Sequence, residues 1–164
     1  MGLAEVSAVL WRERELLEVL VFKLEEEQLV LGAGRTRWLA RATREVEVVL
    51  TEIRRAELAR ATEVDGVATQ LGLAPGPSLA QLADAAPGPW SGLLREHREA
   101  FLALTTEITA MAEANRDLLT AGQRAAWEAM LALSGQTTTP PPGGSPAGAR
   151  TPGDPDRPPV DGAR

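Results

Sequence analysis

Residues 89–134 read PWSGLLREHREAFLALTTEITAMAEANRDLLTAGQRAAWEAMLALS. Within them Leu94, His97, Phe101, Leu104, Ile108, Met111, Asn115 and Leu118 recur at alternating spacings of three and four. That is the seam of a long helix packed against other helices. At about 1.5 Å per residue the stretch makes a rod of about 65 Å. A helix cannot cover its own apolar stripe, so partner helices are required. One seam position is polar: Asn115 stands where leucine would give more stability. Arg116, Asp117, Leu118 and Leu119 follow it.

Two further helices lie upstream. Leu3, Val6, Leu10, Leu17, Leu20, Leu24 and Leu31 form one stripe, interrupted by Arg14 and Gln28, and predict a first helix over 3–31. The run Glu25-Glu26-Glu27 reads as a solvated face. Gly32-Ala33-Gly34 ends the helix, because glycine readily takes a left-handed cap. This is not a nucleotide loop: Arg37 occupies the third glycine position and no strand precedes it. Thr36 is the expected N-cap of a second helix reaching about Leu71, with Leu39, Ala42, Val46, Val49, Ile53 and Ala56 facing inward. Trp38 is expected at the edge of the core. Arg35, Arg37, Arg41 and Arg44 are expected to pair on the helix surface with Glu45, Glu47 and Glu52.

Residues 71–77, LGLAPGP, stop the second helix. Ser78 then caps a short helix, Leu79 to Ala85, with Leu79 and Leu82 inward. Pro87-Gly88-Pro89 closes it, and proline suits the first turn of the next helix. The expected fold is therefore all-α: an elongated antiparallel bundle of three long helices with a short connecting helix and coiled-coil-like packing. It occupies residues 1–134. Residues 135–164 form a Pro- and Gly-rich tail, in which Val160 is the only large apolar residue. Such a segment cannot bury enough surface to offset its ordering entropy, so disorder is expected there.

The 164 residues are 44 % hydrophobic and carry a net charge of −6, enough apolar content for one core and the wrong sign for a general nucleic-acid binder. There is no cysteine, hence no disulfide, zinc-thiolate site or thiol nucleophile. The N-terminus lacks a signal-peptide pattern and no apolar run is long enough to cross a membrane, so a cytoplasmic protein without membrane insertion is expected. His97 is the only histidine and tyrosine is absent. A lone histidine on a helical seam, with no serine nucleophile on a loop beside it, reads as a core residue rather than a catalytic one. A di-iron bundle needs two Glu-x-x-His motifs, and Leu94 stands three residues before His97. No catalytic, cofactor or metal residue is assigned, and an enzyme is not expected.

Three pieces in this order resemble the FlgN-type flagellar export chaperones. They are the leucine-rich first helix with its acidic end (Leu16-Leu17-Glu18-Val19-Leu20 through Glu25-Glu26-Glu27-Gln28), the junction Leu71-Gly72-Leu73 followed by Leu79-Ala80-Gln81-Leu82-Ala83, and Asn115-Arg116-Asp117-Leu118-Leu119 late in the last helix. The likeness spans about residues 3–134. It implies a cytoplasmic chaperone of flagellar type III export. Such proteins hold the hook-associated (hook-filament junction) proteins by their C-terminal helices, mainly through their own C-terminal helical region. They can also deliver the complex to the membrane export gate. The chain departs from the family in lacking tyrosine, so an aromatic contact to the gate falls to Trp127 or another ring. Gly122 interrupts the last helix, at about 1 kcal/mol relative to alanine, and is expected to mark a bend or the close approach of another backbone.

An amphipathic client segment docks in a groove through apolar residues at i, i+3, i+4 and i+7. The client-binding candidates are Asn115, Leu118, Leu119, Trp127, Met130 and Leu131, with Leu133 beside them. The alternative is a structural coiled-coil adaptor that uses the same stripes to oligomerise and has no secreted client. The tail lacks the apolar surface to join a core. A chain ending at Gly135 should therefore unfold within a few degrees of the full-length protein in a thermal melt. A larger loss would place the tail on the bundle.

Overall fold

The computed structural model describes residues 2–136. It contains α1 (Leu3–Gly32), α2 (Thr36–Gln70), α3 (Leu79–Ala85) and α4 (Gly88–Gln136), and among the described residues every regular element is helical. Contacts fix the directions. Glu13 meets Arg60 and Lys23 meets Glu45, so α1 and α2 run antiparallel. Trp11 meets His97 and Asn115 meets the Leu24 carbonyl, so α1 and α4 run parallel. The three long helices thus alternate in direction along the chain, as the spacing predicts, and α1 packs against both others. The disordered-tail expectation, from residue 137 onward, lies outside the described residues, and α4 itself continues through Gln136.

The turns follow local chemistry. Gly34 adopts φ 63° after α1, a conformation that side chains resist. The cap of α2 differs from expectation. Arg35 takes the cap position without a side-chain hydrogen bond, and Thr36 is the first helical residue. The tight Gly34 turn starts the helix one residue early, with the Trp38 N–H already bonded to the Arg35 carbonyl at 2.9 Å. At the other end Asp65 accepts the Gly76 N–H at 2.7 Å and ties the connector to α2. Ser78 caps α3 as expected. Its hydroxyl accepts the Gln81 N–H at 3.2 Å, while Gln81 Oε1 accepts the Ser78 N–H at 2.8 Å. This reciprocal box fixes α3 so that Leu82 and Ala83 are fully buried.

The core has two parts. One gathers Val6, Leu10, Val64, Val67, Leu82 and Leu94 where all four helices meet. The other gathers Leu20, Leu24, Val46, Val49 and Ile53, with Ile108 and Met111 of α4 against it. Each large side chain removed wholly from water contributes roughly 1.5–3 kcal/mol. The first-helix stripe also carries polar residues. Glu13 is buried, 3.3 Å from Arg60, and desolvation raises its pKa against the pull of that guanidinium. The acidic run is not wholly solvated. Glu25 is exposed, but Glu26 bonds Lys23 at 2.8 Å and Glu27 is half-buried. Lys23 also bonds Glu45 at 2.8 Å, which joins α1 to α2.

His97 is 1 % exposed, edge-on to Trp11 at 4.9 Å and stacked on Phe101 at 6.3 Å. Among the described residues neither ring nitrogen has a hydrogen-bond partner. Burial first, then the Arg14 charge, lowers its pKa, while Glu96 opposes them. The unfolded chain therefore takes up this proton at higher pH than the folded one. The stability His97 allows is complete above about pH 6.5 and falls as pH drops below it. A proton NMR titration of the only imidazole should give a midpoint below 6.5. A midpoint at or above that value would show that the ring is solvated or paired with a carboxylate.

Candidate functional site

The spatial match of α4 with its neighbours changes at Asn115. Before it, Leu94, His97, Phe101, Ile108 and Met111 lie buried or half-buried on the seam. Beyond it, every residue from Arg116 to Gly135 is exposed. Parallel packing explains this. Asn115 is level with Leu24, so α1, which ends at Gly32, reaches only a little farther along α4. The last turn of α1 and the first of α2 line a cavity of about 300 Å³ with Leu118, Leu119, Gly122, Gln123 and Ala126. Val30, Leu31, Gly34, Thr36 and Leu39 form its other wall. After Ala126, α4 runs ten residues more to Gln136, about 15 Å.

The six candidate residues divide. Asn115 is 3 % exposed, and its Nδ2 donates to the Leu24 carbonyl at 2.9 Å. Its Oδ1 is buried without a hydrogen-bond partner among the described residues. Beside it the Glu27 carboxyl has its pKa raised by burial, an effect that hydrogen bonds from Asn115 and Thr43 oppose. This polar layer closes the inner end of the groove. Leu118 and Leu119 are about two-fifths exposed in the groove wall. Trp127, Met130, Leu131 and Leu133 are each more than half exposed. At about 100° per residue, Met130 and Leu133 continue the groove face, whereas Trp127 and Leu131 sit roughly 120° round the helix. The distal segment therefore presents two adjoining apolar faces. Contiguous exposed apolar surface of this kind is common at interaction sites.

The opposite groove wall was not singled out from the sequence. Its signal was present, because the stripes of the first two helices run to Leu31 and Leu39, at the turn itself. Gly122 also behaves differently from expectation. The helix is continuous through it, and among the described residues a Cβ there would meet no atom within 4 Å, so none of their backbone approaches closely. Among the described residues no group of three or more His, Cys, Asp or Glu side chains converges to hold a metal ion.

Because Asn115 leaves its Oδ1 unpaired, leucine at that position should cost nothing in stability. Asn115→Leu is expected to unfold at the same or higher denaturant concentration than the parent. A loss of more than about 2 kcal/mol would mean that the Leu24 and Glu27 contacts outweigh the buried amide's desolvation.

Comparison with known proteins supplies the family. No curated protein and no solved structure matches the chain. The model of the FlgN protein family matches residues 1–143 of the 164. No described helix is long and apolar enough to cross a membrane. A match over that much of the chain, on an all-helical fold with a bare distal helix, is decisive: the chain belongs to the FlgN family of flagellar export chaperones.

Proposed function

We propose that this chain is a cytoplasmic flagellar type III export chaperone that binds the C-terminal helical region of hook-associated proteins and keeps them export-competent. The observation that carries the reading is the uncovered distal half of α4, Leu118 to Leu133, beside the apolar groove at the α1–α2 turn. An amphipathic client helix laid along it extends the seam that α1 covers farther down, and buries surface the free protein leaves in water. Leu118, Leu119, Met130 and Leu131 supply aliphatic contact and Trp127 the aromatic one. Asn115 is too deeply placed to offer much surface. It serves by holding α4 in register so that these residues face the client. The bundle of residues 1–134 is the working domain, and residues 135–164 are an appended tail. Delivery to the membrane export gate is part of the same reading, as is the absence of nucleic-acid or membrane partners.

Groove interfaces draw most of their affinity from a few central side chains. Calorimetric titration of a hook-associated protein's C-terminal peptide should show Trp127→Ala and Met130→Ala each weakening binding by about 1–3 kcal/mol, roughly 5- to 150-fold. Helix content should hold, since both side chains are more than half exposed. Unchanged affinity in both variants would remove distal α4 from the client site. Loss of self-association with no client binding at all would favour the adaptor.

A further inference from the structure

A second surface lies on the outer side of α2, and its chemistry is unlike the rest of the molecule. Residues 35–44 read RTRWLARATR: four arginines and no acid, in a chain whose net charge is −6. Leu39, Ala42 and Val46 of this segment turn toward the bundle, which leaves Arg37, Arg41, Arg44 and Val48 on the face directed away from the client groove. The surface ion pairing expected from the sequence is realised for only one of the four. Arg41 bonds Glu45 at 3.0 Å, whereas Arg35, Arg37 and Arg44 make no salt bridge among the described residues. Glu45 is shared, because it also receives Lys23 at 2.8 Å, a pairing that holds its pKa low, while exposed Glu47 makes no salt bridge among the described residues.

Trp38 stands in the middle of this field. It is 46 % exposed, and the Arg37 guanidinium lies over its ring at 4.9 Å from the centroid. A shallow depression opens on each side of the indole. One, of about 340 Å³, has Leu29, Val30 and Ala42 in its wall together with Arg41 and the Lys23-paired Glu26 and Glu45. The other, of about 530 Å³, is lined by Arg37, Arg41, Arg44, Glu45 and Val48, so the free guanidinium groups of Arg37 and Arg44 lie there. An aromatic platform beside unpaired guanidinium groups is the composition of an interface rather than of a solvated helix face, since Trp and Arg are the residues most enriched at binding hot spots. Arginine presents a planar fork that matches carboxylate geometry, and here it is not consumed by an internal partner.

We propose that the outer face of α2 around Trp38 is a second docking surface, which takes an acidic protein segment carrying Asp or Glu beside apolar side chains. The apolar groups cover the indole and Val48, and the carboxylates pair with Arg37 and Arg44. The surface is separate from distal α4. A bound client leaves it free, so one chaperone can hold a client and an acidic partner together.

The test uses the full-length chain and a fluorescein-labelled peptide rich in Glu and Leu, with its Glu→Gln counterpart as control, read by fluorescence anisotropy. The acidic peptide should bind at least about tenfold more tightly than the control, and the complex should weaken as salt rises. Trp38→Ala and the pair Arg37→Glu/Arg44→Glu should each reduce that affinity about tenfold or more. Both should leave hook-associated peptide binding at α4 unchanged, so failure here and failure of the chaperone reading are told apart. If the charge-reversed variant does not fold, Arg37→Ala/Arg44→Ala replaces it. Equal binding of acidic and neutral peptides overturns the proposal, as does indifference to these substitutions. So does equal competition by single-stranded DNA or by vesicles of anionic lipid, which would mark a generic polyanion surface.

Discussion

A helix of 49 residues laid parallel to one of 30 must emerge from its cover. Most of the functional surface follows from that mismatch. The seam of α4 starts at Leu94, fully buried, and α1 covers it as far as Asn115. Past Leu118 the three-four spacing falls on Gly122, Ala125 and Ala129, and the large apolar side chains move to Trp127, Met130, Leu131 and Leu133, where no helix of the described residues covers them. These side chains stay in water in the free protein, and under the proposed function a client helix covers them.

Sliding α1 one turn along α4 would bury or expose a different set of leucines, so the register has to be held. Apolar contacts alone tolerate slippage. Buried polar groups do not, because each must keep its partner or lose it. Asn115 bonding the Leu24 carbonyl fixes α1 against α4 near the exposed end. Glu13 beside Arg60 and Lys23 bonded to Glu45 fix α1 against α2. His97, wedged between Trp11 and Phe101, marks the α1–α4 seam nearer the base without a hydrogen bond of its own. These groups add little stability individually, and Asn115 and Glu13 are left partly unsatisfied. Their value lies in specifying one alignment, in the way a single polar seam residue does in a coiled coil.

Much of this was legible in the sequence because helix periodicity and Gly/Pro punctuation are local signals. The α3 boundaries and its Ser78 cap could be read directly, and so could the seam through Asn115. Three features were not legible, each because it depends on where another helix lies. Glu13 stands on the apolar stripe, three residues after Leu10 and four before Leu17, but its partner Arg60 comes from α2 and cannot be read from α1 alone. Glu27 belongs to a charge run, yet α4 and α2 close over it. The groove wall at Leu31 and Leu39 exists only because the Gly34 turn sets the ends of α1 and α2 against α4. The arginine segment pairs only in part, through Arg41 and Glu45, for a related reason. Sequence proximity suggested pairing with Glu45, Glu47 and Glu52, but Glu45 is shared with Lys23 across the helix interface and Glu52 bonds Arg55.

The central claim is that α4 is one helix with two fates, held by α1 up to Asn115 and available to a client beyond it. Native-state hydrogen exchange, resolved along α4 with and without the client peptide, tests it most directly. In the free protein, amides from about Leu94 to Asn115 should exchange slowly and those after Thr120 quickly. Adding the client should slow exchange from about Leu118 to Ser134 and leave the proximal half unchanged. Uniform slow exchange along free α4, or client protection confined to α1 and α2, would contradict the account.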